Sequence, residues 1–199
     1  MQRLIIQLFG LIMLFRKQSA LRLITGRARF RSILMLSSEQ QEPKNDNSDI
    51  LLSGLNADKD IAVKIVSCRE LIQEVMLRQD MTSQAATALG ELMTCTLLMG
   101  AGLKDDETLQ VNLVGNTGLG NVMAITDGEL KARGTVRNRS FETLDPSVLR
   151  MREMLGDGQV QVVRSHPLWK YPTNGIVALR DVKISLNMAL YMVCCNYFI

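Results

Sequence analysis

The sequence points to an α+β fold, a largely antiparallel sheet packed with helices. Three observations carry this. Apolar residues recur at helical spacing over 68–103, and the period changes to two over 107–138. The period-two stretches are separated by short glycine-bearing turns, which join antiparallel neighbours; parallel strands need long crossovers.

The elements follow in order. "IAVKIV" (61–66) is rich in β-branched residues and reads as a short strand. "CRELIQEVMLRQ" (68–79) puts Leu71, Ile72, Val75 and Met76 on one helical stripe. Thr82 or Ser83 then offers an N-cap for a helix over 84–103. That helix has a single charged residue, Glu91, and apolar or small residues on nearly every face, as expected of a helix buried in a core. It should end around Gly100–Gly102.

"ETLQVNLVG" (107–115) alternates, with Leu109, Val111 and Leu113 on one face and Thr108, Gln110 and Asn112 on the other. "NVMAIT" (121–126) follows a glycine-rich turn, and Asp127-Gly128 suggests a type I′ hairpin into "ELKARGTVRN" (129–138). Asp145 and Pro146 suit the start of a short helix over 145–156. "QVQVVRS" (159–165) and "GIVAL" (175–179) read as strands joined by "HPLWKYPTN". "SLNMALYMVCCNYF" (185–198) reads as a last helix with Ser185 as its cap.

Charge divides the chain. Residues 1–38 hold Arg3, Arg16, Lys17, Arg22, Arg27, Arg29 and Arg31 and no acid. The remaining 16 basic and 20 acidic residues make the body mildly acidic, which argues against a nucleic-acid protein. We therefore read 1–38 as a transit or targeting segment. A secretory signal, or a translational start at Met35, is the alternative. The apolar run 4–15 is too short to cross a bilayer, which takes about 20 residues. A polar linker, 39–60, separates this segment from a folded domain over 61–199.

Residues that could carry chemistry are few. Gly115, Gly118 and Gly120 lie between two strands, where a turn is expected; a phosphate loop would open a helix. Lys131, Arg133, Arg137 and Arg139 form a basic stripe without interleaved aromatics, the pattern of a solvated hairpin face. Cys68 or Cys95 with His166 has no nucleophile–base spacing, and a thiol in the apolar helix is inert. Cys194 and Cys195 are adjacent, unlike spaced metal-binding pairs, and with His166 supply fewer than the four ligands of a structural zinc. So few cysteines suit a reducing compartment. No catalytic, cofactor-binding or metal residue is assigned.

The stretch 82–138 nonetheless carries a set of motifs in order: T-S-x-x-A-T-A-L-G, L-L-M-G-A-x-L-K, E-T-L-x-V-x-L-x-G-N-x-x-L-G and D-G-x-L-x-A-R-G-x-V. With them the chain resembles the N-terminal domain of the heat-shock protein 33 family, the redox-regulated 33-kDa chaperonins. "SHPLWKYPTNGIVALRDVKISLNMALYMV" (165–193) is similar to the family's eukaryotic and plastid-type branch. The resemblance implies a holdase, not an enzyme, that binds unfolded client proteins in protein folding and oxidative stress. It also implies a C-terminal domain whose C-x-C and C-x-x-C cysteines hold zinc until oxidised.

Those spacings do not occur here, and "CCNYFI" stands where the family continues with further strands. The expectation is a domain truncated before the zinc-binding half, with no cofactor in this chain and no redox zinc switch. Its partners would be unfolded clients, with a homodimer as an option, no nucleic acid and no stable membrane span. Plastid or mitochondrion is the expected location, with cytoplasm as the alternative. Two other functional readings stand beside the holdase: a non-functional or interaction-only isoform, and a small membrane-tethered protein.

Overall fold

The structure is a computed structural model that describes residues 5–8, 10–16, 49–56, 61–104, 106–142, 154–180 and 183–195; for 5–8 and 10–16 it describes the backbone. The chain divides into two compact units, Met1–Glu70 and Leu71–Ile199. The expected α+β class holds: helices pack on an antiparallel sheet.

The first unit is a four-stranded antiparallel sheet of order β1-β2-β4-β3. Its strands are β1 (Ile5–Leu8), β2 (Gly10–Arg16), β3 (Ile50–Leu55) and β4 (Ile61–Ser67). The 39–60 segment is thus not wholly a linker. "ILLSGL" pairs along β4 from Ile50 opposite Ser67 to Leu55 opposite Ala62. Six apolar-rich residues in a polar surrounding give too short a period to stand out, and pairing with the β-branched β4 makes them a strand. Asn56 closes the β3–β4 connection: its N–H bonds Ile61 O at 3.0 Å, and its Oδ1 accepts the Ile61 N–H at 2.8 Å. Segment 1–38, read as a targeting extension, contributes β1 and β2, with Ile12–Arg16 opposite Ile65–Ile61.

Helix α1 (Arg69–Gln79) starts where the Asp49 carboxylate accepts the Glu70 N–H at 2.9 Å. It ends at Asp80, whose φ of 49° is left-handed. Helix α2 (Ser83–Gly100) is capped by Thr82, one of the two residues expected, whose Oγ1 accepts the Ala85 N–H. The same hydroxyl donates to Phe141 O at 2.6 Å, tying the cap to the chain beyond the sheet.

The second unit is built on a five-stranded antiparallel sheet of order β7-β6-β5-β8-β9. The strands are β5 (Thr108–Val114), β6 (Val122–Asp127), β7 (Ala132–Val136), β8 (Gln159–Ser165) and β9 (Thr173–Ala178). The alternation read over 107–115 is the one observed: Leu109, Val111 and Leu113 are fully buried. Residues directly opposite one another share a face, so the register draws one row across all five strands: Gly134, Ala124, Val111, Val162 and Gly175. Helix α2 packs on β5, β6 and β7, and helix α3 (Ile184–Cys194) packs on α2, β8 and β9.

Both ends of that row are glycine, because a helix approaches closely at each. A Cβ at Gly134 would lie 2.7 Å from Leu89 Cδ1 and 3.1 Å from Met93 Sδ. One at Gly175 would lie 2.8 Å from the Tyr191 ring and 3.1 Å from Cys195 Sγ. Neither gap admits a side chain.

Two local expectations are corrected. The β6–β7 turn is not type I′: Leu130, not Gly128, has the left-handed φ, at 62°. The Asp127 carboxylate accepts the Glu129 and Lys131 N–H groups at 3.0 Å each, and Asp127 O accepts Leu130 N–H at 3.0 Å, which widens the turn. Helix α3 is capped at Lys183, not Ser185, with no side-chain cap bond. Asn187 secures its start instead, donating to Lys183 O at 2.8 Å and accepting the Arg180 N–H at 2.9 Å. The start of the helix expected over 145–156, with Asp145 and Pro146, lies outside the described residues; Met154 and Leu155 are fully buried.

One ion pair ties β5 to β8. Glu107, only 3% exposed, accepts Arg164 Nη2 at 2.6 Å and the Lys104 N–H at 2.9 Å. Burial alone would raise its carboxyl. The Lys104 N–H, the Arg164 hydrogen bond and the two positive charges outweigh burial and hold the carboxyl below the usual carboxylate range.

Two predictions follow from this packing. Gly134→Val should destabilise the chain by about 1–3 kcal/mol through overpacking, read as a lowered urea midpoint. Glu107→Gln should cost about 1.5–3 kcal/mol at neutral pH. Because the folded pKa of Glu107 lies below its unfolded value of about 4.3, its contribution is complete above that value and is lost as pH falls through the folded one. The gap between wild type and Glu107→Gln should therefore close as the pH is lowered through the folded pKa of Glu107, in urea titrations carried into the acid range.

Candidate functional site

The β8–β9 hairpin gathers exposed apolar side chains. Its connection, "HPLWKYP", is built on a turn in which His166 O accepts the Trp169 N–H at 3.0 Å and His166 Nδ1 accepts the Leu168 N–H at 3.1 Å. The imidazole is thus occupied in shaping the turn. Pro167 and Pro172 restrict the backbone on either side of the aromatic pair. Leu168 and Tyr171 stand 87% and 73% exposed, and Ile176 on β9 is 50% exposed.

The tip is held from below. The Arg164 guanidinium carbon lies 5.7 Å from the Trp169 ring centroid, and the Trp169 and His166 rings are 5.8 Å apart. Since Arg164 is anchored by buried Glu107, Trp169 rests on a cation that is itself fixed. Lys170 Nζ lies 5.3 Å from the Tyr171 ring. Scattered exposed apolar residues are ordinary, but Leu168, Trp169 and Tyr171 within four residues of a braced hairpin form a surface that can hold apolar chains. Sequence reading took this stretch as a connection and as part of the family resemblance, and assigned it no binding role. The available signal was two aromatics between two prolines, in a chain with 5% aromatic residues.

The residues singled out from sequence are dispersed. Cys68 and Cys95 are buried, Cys95 within α2, while His166 is in the hairpin turn. Cys194 is exposed at the end of α3; Cys195 is half-buried against Gly175 and the Tyr191 ring. Burial first, then the neighbouring Cys194, pushes the Cys195 thiol up, away from the reactive thiolate. Burial first, then Cys195, pushes the Tyr191 hydroxyl up to about 12. None of the four cysteines is in a disulfide.

Gly115, Gly118 and Gly120 lie in the β5–β6 turn around the fully buried Leu119, whose N–H bonds Met154 O at 2.9 Å. Arg133 is on β7, at the sheet's edge. Lys131 is paired with Glu129 beside the turn. Among the described residues no group of three or more His, Cys, Asp or Glu is placed to hold a metal ion. No helix among them is long and apolar enough to cross a membrane. The seam lined by Ile72, Val75, Met76, Leu89 and Met93 leaves no room for water and is packed core.

Comparison with known proteins agrees with this architecture. The family model described as Hsp33 protein matches residues 49–194. The 33 kDa chaperonin of Lactobacillus delbrueckii subsp. bulgaricus is 27% identical over 148 residues, covering 73% of this chain and 50% of the relative. That of Staphylococcus carnosus is 33% identical over 126 residues, covering 62% of this chain and 43% of the relative. The crystal structure of the 33 kDa chaperonin (heat shock protein 33 homologue) of Thermotoga maritima superposes with a TM-score of 0.66 at 26% identity. It covers 72% of this chain and 50% of that one. The chain thus spans about half the length of the relatives it matches, 50% for the first of them. With a family model spanning most of its length and a matching fold, the chain belongs to the heat-shock protein 33 family.

Proposed function

We propose that this chain acts as a holdase, binding unfolded proteins through exposed apolar surface rather than transforming a substrate. The observation that carries this reading is the braced hairpin tip of Leu168, Trp169 and Tyr171. Membership of a family whose relatives are named 33 kDa chaperonins supports it. Apolar side chains on a rigid scaffold bind extended chains without losing much of their own entropy.

We propose further that the chain binds clients without a cofactor of its own. Its four cysteines include no C-x-C or C-x-x-C pair, so zinc release on oxidation has no ligands to act on in this sequence. The basic, acid-free segment 1–38 is proposed to direct the chain to a plastid or mitochondrion. Its removal would take β1 and β2 out of the first sheet. N-terminal sequencing of the mature protein shows whether that sheet has four strands or two in the cell.

In an aggregation assay with a thermally unfolding client, the 199-residue chain should suppress light scattering, and neither chelator nor peroxide should change the effect. Leu168→Ser with Tyr171→Ser should weaken suppression severalfold and leave the melting temperature unchanged, because both side chains are exposed. No suppression by the wild-type chain would refute the holdase reading and leave an interaction-only protein.

A further inference from the structure

We propose that His166 is a positioning residue that makes the hairpin tip pH-sensitive: neutral, it holds the backbone of Leu168 and Trp169 in place for a client, and protonated, it releases the tip. This deepens the holdase reading and rests on it, since it names the condition under which that surface is formed.

The inference starts from two hydrogen bonds made by one residue. His166 O accepts the Trp169 N–H at 3.0 Å, and His166 Nδ1 accepts the Leu168 N–H at 3.1 Å. Pro167 has no N–H, so the Leu168 amide is the first donor beyond His166 that can reach back. Both amides belong to residues whose side chains form the exposed tip. A backbone amide only donates, so the Nδ1 that meets it is bare, and the proton of the neutral ring sits on Nε2. The imidazolium carries a proton on both nitrogens and has no acceptor left. Protonation therefore sets N–H against N–H at Leu168, and the charged ring and this turn exclude each other.

The surrounding charges act in the same direction. The Arg164 guanidinium lies 5.7 Å from the Trp169 ring centroid, and the His166 ring lies 5.8 Å from the same ring. An imidazolium would share Trp169 with a guanidinium that Glu107 holds in place. Lys170, against the Tyr171 ring in the same connection, adds further positive charge. The pairing of Thr108 with Ser165 brings Glu107 and Asp106 to this end of the sheet. The Glu107 carboxylate already accepts Arg164 and the Lys104 N–H. Asp106 and Tyr171, the other titratable groups at this end, are exposed, and β9 has no charged side chain.

Histidine changes charge between about pH 5 and 8. The tip is thus held at neutral pH and loosened by mild acid. A loosened tip must be ordered again on binding, which weakens its hold on a client. The chain has one histidine and one tryptophan, His166 and Trp169. Tryptophan emission therefore reports this tip alone, and no other imidazole contributes to its titration.

The test is tryptophan emission and its quenching by acrylamide in the 199-residue chain, from about pH 7.5 to about pH 5.5. The wild type should show one reversible transition, with Trp169 more accessible to acrylamide on the acid side. In His166→Asn the Oδ1 can accept the Leu168 N–H at either pH, as Asn does two residues on in turns, and the transition should vanish. His166→Ala offers no acceptor and should show the acid-side accessibility throughout; quenching by an imidazolium alone would not produce that. With reduced, alkylated lactalbumin as a permanently unfolded probe, binding by the wild type relative to His166→Asn should fall severalfold over the same range. If either variant fails to fold by circular dichroism, nuclear magnetic resonance of the wild type decides: the Leu168 amide and the His166 ring protons should titrate together. The proposal is overturned if the wild-type emission is flat, if His166→Asn keeps the transition, if His166→Ala matches the neutral wild type, or if the Leu168 amide does not follow the ring. Lactalbumin binding whose ratio between wild type and His166→Asn stays constant, or rises in acid, would sink the switch and leave the holdase standing. The emission transition without lactalbumin binding at either pH would sink the holdase and leave the titrating turn.

Discussion

The second unit depends on two close approaches of helix to sheet, at either end of one register row. Gly134 and Gly175 carry no side chain, and between them Ala124, Val111 and Val162 present small or β-branched groups. Leu89 and Met93 of α2 settle over the first glycine, Tyr191 and Cys195 of α3 over the second. Packed interiors tolerate neither a void nor an added methyl at such spacings. The same economy recurs inside the layer, where a Cβ at Gly100 would meet Thr126 Cγ2 at 2.3 Å.

From that constraint follows the asymmetry of the sheet. At the β7 end α1 reaches the edge, and Gln79 occupies a carbonyl that would otherwise face outward. At the β9 end α3 covers only the inner face, through the Tyr191 ring and the Cys195 sulfur on Gly175. The outward peptide groups and Ile176 remain exposed. A helix that approaches a strand over a glycine packs against its face and leaves its edge untouched. The exposed edge and the apolar hairpin thus belong to one arrangement, stiffened by the line from Glu107 through Arg164 to Trp169.

Much of this was legible in the sequence where local chemistry decides. The alternation of 107–115 made Leu109, Val111 and Leu113 the buried face, and Thr82 announced the start of α2. The failures lie where a distant partner decides. "ILLSGL" becomes a strand only because β4 pairs with it. The β6–β7 turn departs from type I′ because the Asp127 carboxylate gathers two N–H groups and shifts the left-handed residue to Leu130. Ser185 yields to Lys183 because Asn187 secures the backbone at that end. Which strand is outermost is a property of topology, so no local pattern in "TNGIVA" could reveal an edge.

The thiols illustrate why binding is a more economical reading than chemistry. A nucleophile needs a depressed pKa and a base within reach, and a metal site needs several ligands at one point. Here the Cys195 thiol is pushed up by burial, Cys95 is enclosed by an apolar helix, and the Nδ1 of His166 holds a turn. These three groups are committed to packing or to local geometry, while Cys194 is exposed at the end of α3. Apolar side chain and outward backbone also stand at the described surface, and under the proposed holdase reading these are the groups that would recognise extended chains of many sequences. Main-chain bonds are indifferent to sequence, and apolar contact is nearly so. A surface made of both suits partners whose common property is that they have lost their fold.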